Sequence, residues 1–261
     1  MRGLSAGRRK ASHDHVLLAD RNPVAQVAAE VLWSFTPPWT WLFGVAINLV
    51  LSVLWLIWFP LTGHSHGDWV IVVGTYFAIF VLADVTTTNV LGADAARVRL
   101  NLARGVAIGR MLLTKNFALL VIVGVPTLAA TAALTIYSET PYRLVLTLPG
   151  VALPILAWLG VGNVVSVLLP VATKPMLQRW RERHEVLPTL RWLVHLGLPY
   201  ALLYLVDPVG DVPSTIFRDF PRHDRTPELR GFLLALTGIL IWVAGTVLAA
   251  QLVRRRGLRM R

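Results

Sequence analysis

Few side chains in this sequence could carry chemistry, and they stand far apart. Asp84 lies inside an apolar stretch, roughly 10 Å from its end at about 1.5 Å per residue, and Thr86, Thr87, Thr88 and Asn89 extend it into a polar patch. A carboxylate at the centre of a membrane helix costs about 2.5–3.5 kcal/mol, so it must face protein or a water-filled cavity. Such a patch suits the wall of a polar pathway, and a satisfied structural carboxylate is the plainer alternative. Thr75 and Tyr76 precede it on the same stretch, and Asn48 lies on the stretch before. His195 sits alone near the end of another, where a packed, hydrogen-bonded histidine is the ordinary case. His64, His66 and Asp68 form an H-x-H-x-D whose side chains suit Zn or Cu. A solvated loop explains them as well, and no metal site is assigned. No Ser-His-Asp arrangement occurs. With no cysteine in the chain, thiolate chemistry and disulfides are excluded. No catalytic residue is assigned.

The elements that must position these residues are apolar runs. Of 261 residues 55% are hydrophobic and only 15% charged, with a mean hydropathy of +0.61. Soluble domains run nearer a quarter charged. Six runs are long enough to cross a bilayer, at 39–61, 69–91, 117–137, 144–169, 190–206 and 229–253. The fourth is interrupted by Pro149, Pro154, Gly160 and Gly162, and the fifth is short. They fill residues 39–253 and read as one all-α membrane domain. Trp39, Trp41, Trp58, Trp69, Tyr137, Trp192 and Tyr204 fall near their ends, as an interfacial belt does.

The 25 Lys and Arg are distributed unevenly. The tail at 1–21, the flank between the second and third runs, the flank between the fourth and fifth (counting Arg191 at the start of the fifth), and the C-terminal segment hold five each. The three remaining flanks, counting Arg230 at the start of the sixth run, share the last five. Cytoplasmic loops are the ones enriched in Lys and Arg, so both termini are expected in the cytoplasm. The basic tail has no apolar core directly behind it and does not read as a signal peptide. The net charge of +11 is spread over four flanks. It fits anionic lipids at the inner surface better than nucleic acid.

Two shorter segments stand out. Asn22 is a good N-cap and Pro23 a good first helical residue. Val24, Val27, Ala28, Val31, Leu32 and Phe35 then fall on one helical face, while Gln26, Glu30 and Ser34 lie on others. Pro37 and Pro38 end this amphipathic helix over 22–36, which is expected to lie in the membrane interface. The second segment, 94–113, is too polar to span. Val98, Leu102 and Val106 recur at four-residue spacing with Arg97, Asn101 and Arg104 on another face, so it reads as one amphipathic helix under the membrane, or as a solvated basic loop. A further short helix is expected near 213–220.

The order of these elements, with Lys115-Asn116 opening the third run and the string GNVVSVLLP from Gly162 through Asn163 and Ser166 to Pro170, resembles the ABC-2-type permeases. These are the membrane halves of type V ABC exporters in bacteria. The arginine bias (22 Arg to 3 Lys) suits a GC-rich, actinobacterial kind of genome. The resemblance implies a plasma-membrane permease working as a homo- or heterodimer with separate ATPase subunits. No G-x-x-x-x-G-K-[ST] loop occurs in the chain, so it is not expected to cradle ATP phosphates in the usual way, and the resemblance implies that ATP and Mg are bound by that partner and no cofactor by this chain. Asp94, Arg97, Arg99, Leu102, Arg104, Arg110 and Lys115 would form the coupling surface. Asn48, Thr75, Tyr76, Asp84, Thr87 and His195 would line the pathway. Two other classes stay open: a membrane-embedded enzyme using Asp84 or His195, and a non-transporting membrane anchor or assembly protein. The substrate is left open.

Overall fold

A computed structural model describes residues 22–36, 50, 54, 70–71, 73–75, 89–170, 186, 190, 212–221 and 226–258. Most of the first, second and fifth apolar runs lie outside these residues. So do Asn48, Tyr76, Asp84, Thr87, His195 and the loop of His64, His66 and Asp68. Among the described residues there are helices and turns but no strand.

Helix α1 covers Pro23–Ser34. The Asn22 side chain caps it by accepting from the Val24 N–H at 3.0 Å, and the helix closes at Phe35 and Thr36 ahead of two prolines. A 3-10 turn over Gly92–Asp94 leads into α2, Ala95–Ala103. Here the chain departs from the single helix read across 94–113. Gly105 adopts φ +79°, its N–H bonds to the Leu102 carbonyl, and the Val106 N–H bonds to that of Asn101. This is a Schellman closure, which needs a residue free to adopt the left-handed conformation. The chain turns and restarts as α3, Ile108–Leu119.

That restart belongs to the third apolar run. α3 continues through a π-helical stretch, Leu120–Gly124, into α4, Val125–Ser138, forming one rod of 31 residues. Pro126 accounts for the wider turn. It has no N–H to offer, and its ring crowds the carbonyl four residues back. The Val125 N–H accordingly reaches the Leu120 carbonyl, five residues behind it. A short turn at Pro141–Arg143 reverses the chain into α5, Leu144–Leu168, which keeps Pro149 and Pro154 inside it. The brief α6 is Val212–Asp219. α7, Pro227–Arg256, is capped by the Thr226 hydroxyl, which accepts from the Leu229 N–H at 3.2 Å.

Among the described residues three helices are thus long and apolar enough to cross a membrane: Ile108–Ser138, Pro141–Leu168 and Pro227–Arg256. The first two are antiparallel, joined near the turn by Thr135 and Thr147 hydroxyls 2.9 Å apart. α5 and α7 pack side by side in the same direction. Gly231 meets Val145, Gly238 meets Leu153, and Gly245 meets Gly160. The shared direction agrees with the order read from the sequence, in which the fourth and sixth runs cross the same way. A Cβ on Gly245 would stand 2.3 Å from the Gly160 carbonyl oxygen, so the two backbones approach closely where only glycine fits.

Two apolar clusters fill the bundle. One holds Leu119, Val123, Val151, Ile155, Trp158 and Leu159. The other holds Leu91, Val98, Ile108, Met111, Leu112 and Ala249. On each helix a polar residue falls between them: Asn116, Asn163 and Thr246, all buried. The bundle's ends also differ. The end with α1, α2 and the close of α7 carries Arg97, Arg99, Arg104, Arg110, Lys115 and Arg254 to Arg256 against Glu30 and Asp94. The other end balances Arg143 and Arg230 with Glu139 and Glu228.

Replacing Gly245 by Val should lower stability by about 1–3 kcal/mol through overpacking. Gly109→Ala, whose Cβ would lie at an ordinary 3.9 Å from Ala250, should be neutral or slightly stabilising. Thermal unfolding of both purified variants in detergent checks this. Equal stability of the two would show that the α5–α7 contact is looser than described.

Candidate functional site

The basic end is built around a buried carboxylate. Glu30 comes from the polar side of α1, and Gln26, Ala29 and Glu30 are the buried residues of that helix. Val24, Leu32 and Phe35, from its apolar stripe, are 74%, 69% and 51% exposed. α1 therefore docks by its polar face and turns its apolar face outward, the reverse of a helix covering a soluble core. A lipid surface is the natural solvent for such a face.

Glu30 receives two cations from separate elements. Lys115, on α3, donates to Oε1 at 2.6 Å, and Arg97, on α2, donates to Oε2. Arg97 also donates through Nε to Asp94, and Lys115 Nζ lies 3.3 Å from the same Asp94 oxygen. Two carboxylates and two cations thus form a closed square in which every side chain is about nine-tenths buried. Trp33, one turn beyond Glu30, caps it with its ring. The Arg97 Cζ lies 4.0 Å from the ring centroid and the Lys115 Nζ 5.7 Å, both in cation–π range. On the neighbouring turn of α1, Gln26 accepts from Arg110 Nε at 3.2 Å.

Burial pushes the Glu30 carboxyl up. The charges of Lys115 and Arg97, with their hydrogen bonds, outweigh that and hold it below its ordinary 4.5. A group depressed in this way contributes stability at pH above its unfolded value, and the contribution is lost as pH falls through the folded one. The square joins three segments by charge. Removing one member of such a network costs about 3–5 kcal/mol, because it strands a buried charge, although an apolar replacement of the whole network can be neutral.

The seven residues read as a coupling surface therefore divide. Arg97 and Lys115 turn inward to Glu30, and Asp94 pairs with both of them. Leu102 packs against the second apolar cluster. Arg99 and Arg104 are exposed on the outer side of α2, and Arg110 is exposed beside Gln26. Of the residues read as pathway-lining, Thr75 is described. It is half-buried, and its neighbour Gly74 packs tightly against Val151 and Thr131. The GNVVSVLLP residues serve packing between helices. Gly162 is buried and Pro170 follows the end of α5. Asn163 donates to the Thr246 hydroxyl at 2.9 Å, and the Ser166 hydroxyl accepts from the Val90 N–H at 3.0 Å. Among the described residues no group of three metal-ligating side chains occurs.

Sequence reading missed Glu30, Gln26 and Trp33 as members of this site. Their spacing was available as a signal, since 26, 29, 30 and 33 line the face opposite the apolar stripe. In comparisons with known proteins, no family model, no curated protein and no solved structure matches this chain.

The absence of cysteine allows direct spin labelling at Ala28→Cys and Leu113→Cys, on α1 and α3. One narrow distance distribution is expected, unchanged through neutral and mildly acidic pH and broadening only below 4.5. Glu30→Ala should broaden it at neutral pH. A narrow distribution in that variant would mean that the ionic square does not hold α1.

Proposed function

We propose that this chain is the membrane permease subunit of an ATP-driven exporter of the ABC-2 kind, working as a dimer with separate ATPase subunits. Its cargo would be hydrophobic or amphipathic. The observation that carries this reading is the continuity from the outer side of α2 to a membrane-length rod. α2 is tied through Arg97 and Asp94 to Lys115, and Lys115 belongs to the same continuous helix as Ser138. A push on α2 thus reaches the bundle through a short, charge-locked elbow rather than a flexible loop. On this reading ATP and Mg would be bound by a partner, which fits a sequence with no G-x-x-x-x-G-K-[ST] loop. The three apolar helices and the basic bias of one end support a multi-pass protein of the plasma membrane with that end in the cytoplasm.

Within this reading the coupling residues take two roles. Arg99 and Arg104, exposed on α2, would meet the ATPase. Asp94, Arg97 and Lys115 would transmit the movement without touching it. Copurification from native membranes should recover a P-loop ATPase with the wild-type chain. The double variant Arg99→Glu/Arg104→Glu should lose most of that ATPase, while the spin-label distance between α1 and α3 stays as in wild type. Recovery of an unrelated partner and no ATPase, or undiminished ATPase binding in the double variant, would overturn the reading.

A further inference from the structure

Between the two apolar clusters, α3, α5 and α7 each bury a polar side chain: Asn116, Asn163 and Thr246. They stand at one level. A Cβ on Gly124 of the rod would lie 3.7 Å from Ile155 of α5. An equal number of residues back along the antiparallel rod and on along α5 lead to Asn116 and Asn163. Asn163 is joined to α7 by its bond to Thr246. The Thr246 hydroxyl has one proton and gives it to the Trp242 carbonyl at 2.7 Å, so it must accept from Asn163 Nδ2. That bond fixes the Asn163 amide and leaves its Oδ1 buried without a partner. Asn116 is fully buried, and neither its Oδ1 nor its Nδ2 has a partner. The Trp242 indole Nε1 is buried and unpartnered as well. Trp242 lies one turn before Thr246 and stands edge-to-face with Phe117, the neighbour of Asn116, with ring centroids 5.5 Å apart. Three helices thus leave two donor groups and two acceptors unmet at one level. Buried polar groups in native proteins are nearly all partnered, so a cluster of four points to a guest.

The unmet groups select that guest. A cation would meet the N–H groups of Asn116 and Trp242, and an anion the oxygens of Asn116 and Asn163. α5 and α7 carry no ionisable side chain within two turns of the layer. Lys115, next to Asn116 in sequence, is committed to Glu30 and Asp94. A neutral group that both donates and accepts remains. A carboxamide fits best. Its carbonyl and N–H lie in one plane, as those of Asn116 do, so the two can pair through two hydrogen bonds. Asn163 Oδ1 and Trp242 Nε1 then meet the proton and the lone pair left over. The clusters on either side are apolar and suit a guest that is otherwise hydrocarbon. We propose that this layer binds the uncharged amide of an otherwise apolar molecule. That the molecule is the cargo rests on the permease reading, and it narrows the cargo from hydrophobic or amphipathic compounds to apolar amides. Entry is beside Phe117, 45% exposed and packed on Trp242. The π-helical stretch begins at Leu120, one turn beyond Asn116, and such stretches are frequent at functional sites.

Binding is measured by fluorine NMR on the full chain in detergent, with 5-fluorotryptophan in place of tryptophan. The Trp242 signal is identified by its loss in Trp242→Phe. Dodecanamide should shift that signal, whereas dodecane, dodecanoate and dodecylammonium should leave it in place. Asn116→Leu should raise the dodecanamide concentration for half the shift at least tenfold, and Asn163→Leu several-fold. Asn116→Leu should also melt no lower than wild type, because it removes two buried groups that have no partner. A purely structural asparagine would melt lower when replaced. An equal shift with dodecane, no shift with dodecanamide, or an unchanged half-point in Asn116→Leu would overturn the site. The measurement needs no ATPase. Dodecanamide binding with no ATPase in the copurification would keep the site and reject the permease reading, and the opposite pair of results would reject the site alone.

Discussion

The Glu30 carboxylate joins three segments of chain. Its two oxygens take Arg97 from α2 and Lys115 from α3, partners that lie 67 and 85 residues away in sequence. The orientation of α1 follows from this bond. With Glu30 inward, the apolar stripe of Val24, Leu32 and Phe35 must face outward. The Schellman closure at Gly105 follows from it as well, because α2 has to fold back beside α3 for Arg97 and Lys115 to share one carboxylate. A buried ion square is a poor source of net stability but a specific one. It tolerates one arrangement of the elbow and penalises the others.

The bundle behind the elbow is held differently. Its contacts are backbone against backbone along α5 and α7, and apolar side chains in two clusters. Between the clusters lie Asn116, Asn163 and Thr246. Asn163 bonds to Thr246, whereas both amide atoms of the fully buried Asn116 lack partners. The Asn116 turn is followed within a few residues by the π-helical stretch at Leu120. The middle of the rod thus combines an irregular backbone with unsatisfied polar groups. This is the level at which the rod would yield if α2 were pushed.

Much of the helical content was legible from sequence, for local reasons. α1 begins where Asn22 and Pro23 say it should. α5 and α7 coincide with the fourth and sixth apolar runs to within three residues, and α6 falls where a short helix was expected. The break at Gly105 was hidden because Val98, Leu102 and Val106 keep a helical spacing across it. Arg97 and Lys115 were read as outward cations because Glu30, the carboxylate that holds both, lies on a helix far upstream. The periodicity of α1 separated two faces correctly. It could not say which of them meets protein, since a membrane reverses the rule that serves for soluble helices. Glu30 became a functional candidate only once its distances were known.

A density map of the chain purified with its partners from native membranes tests the central claim most directly. The account predicts a P-loop ATPase seated against the outer side of α2 near Arg99 and Arg104, with Glu30 still bridging Arg97 and Lys115 behind it. A map in which α2 meets no ATPase, or in which α1 stands away from Lys115, would contradict it.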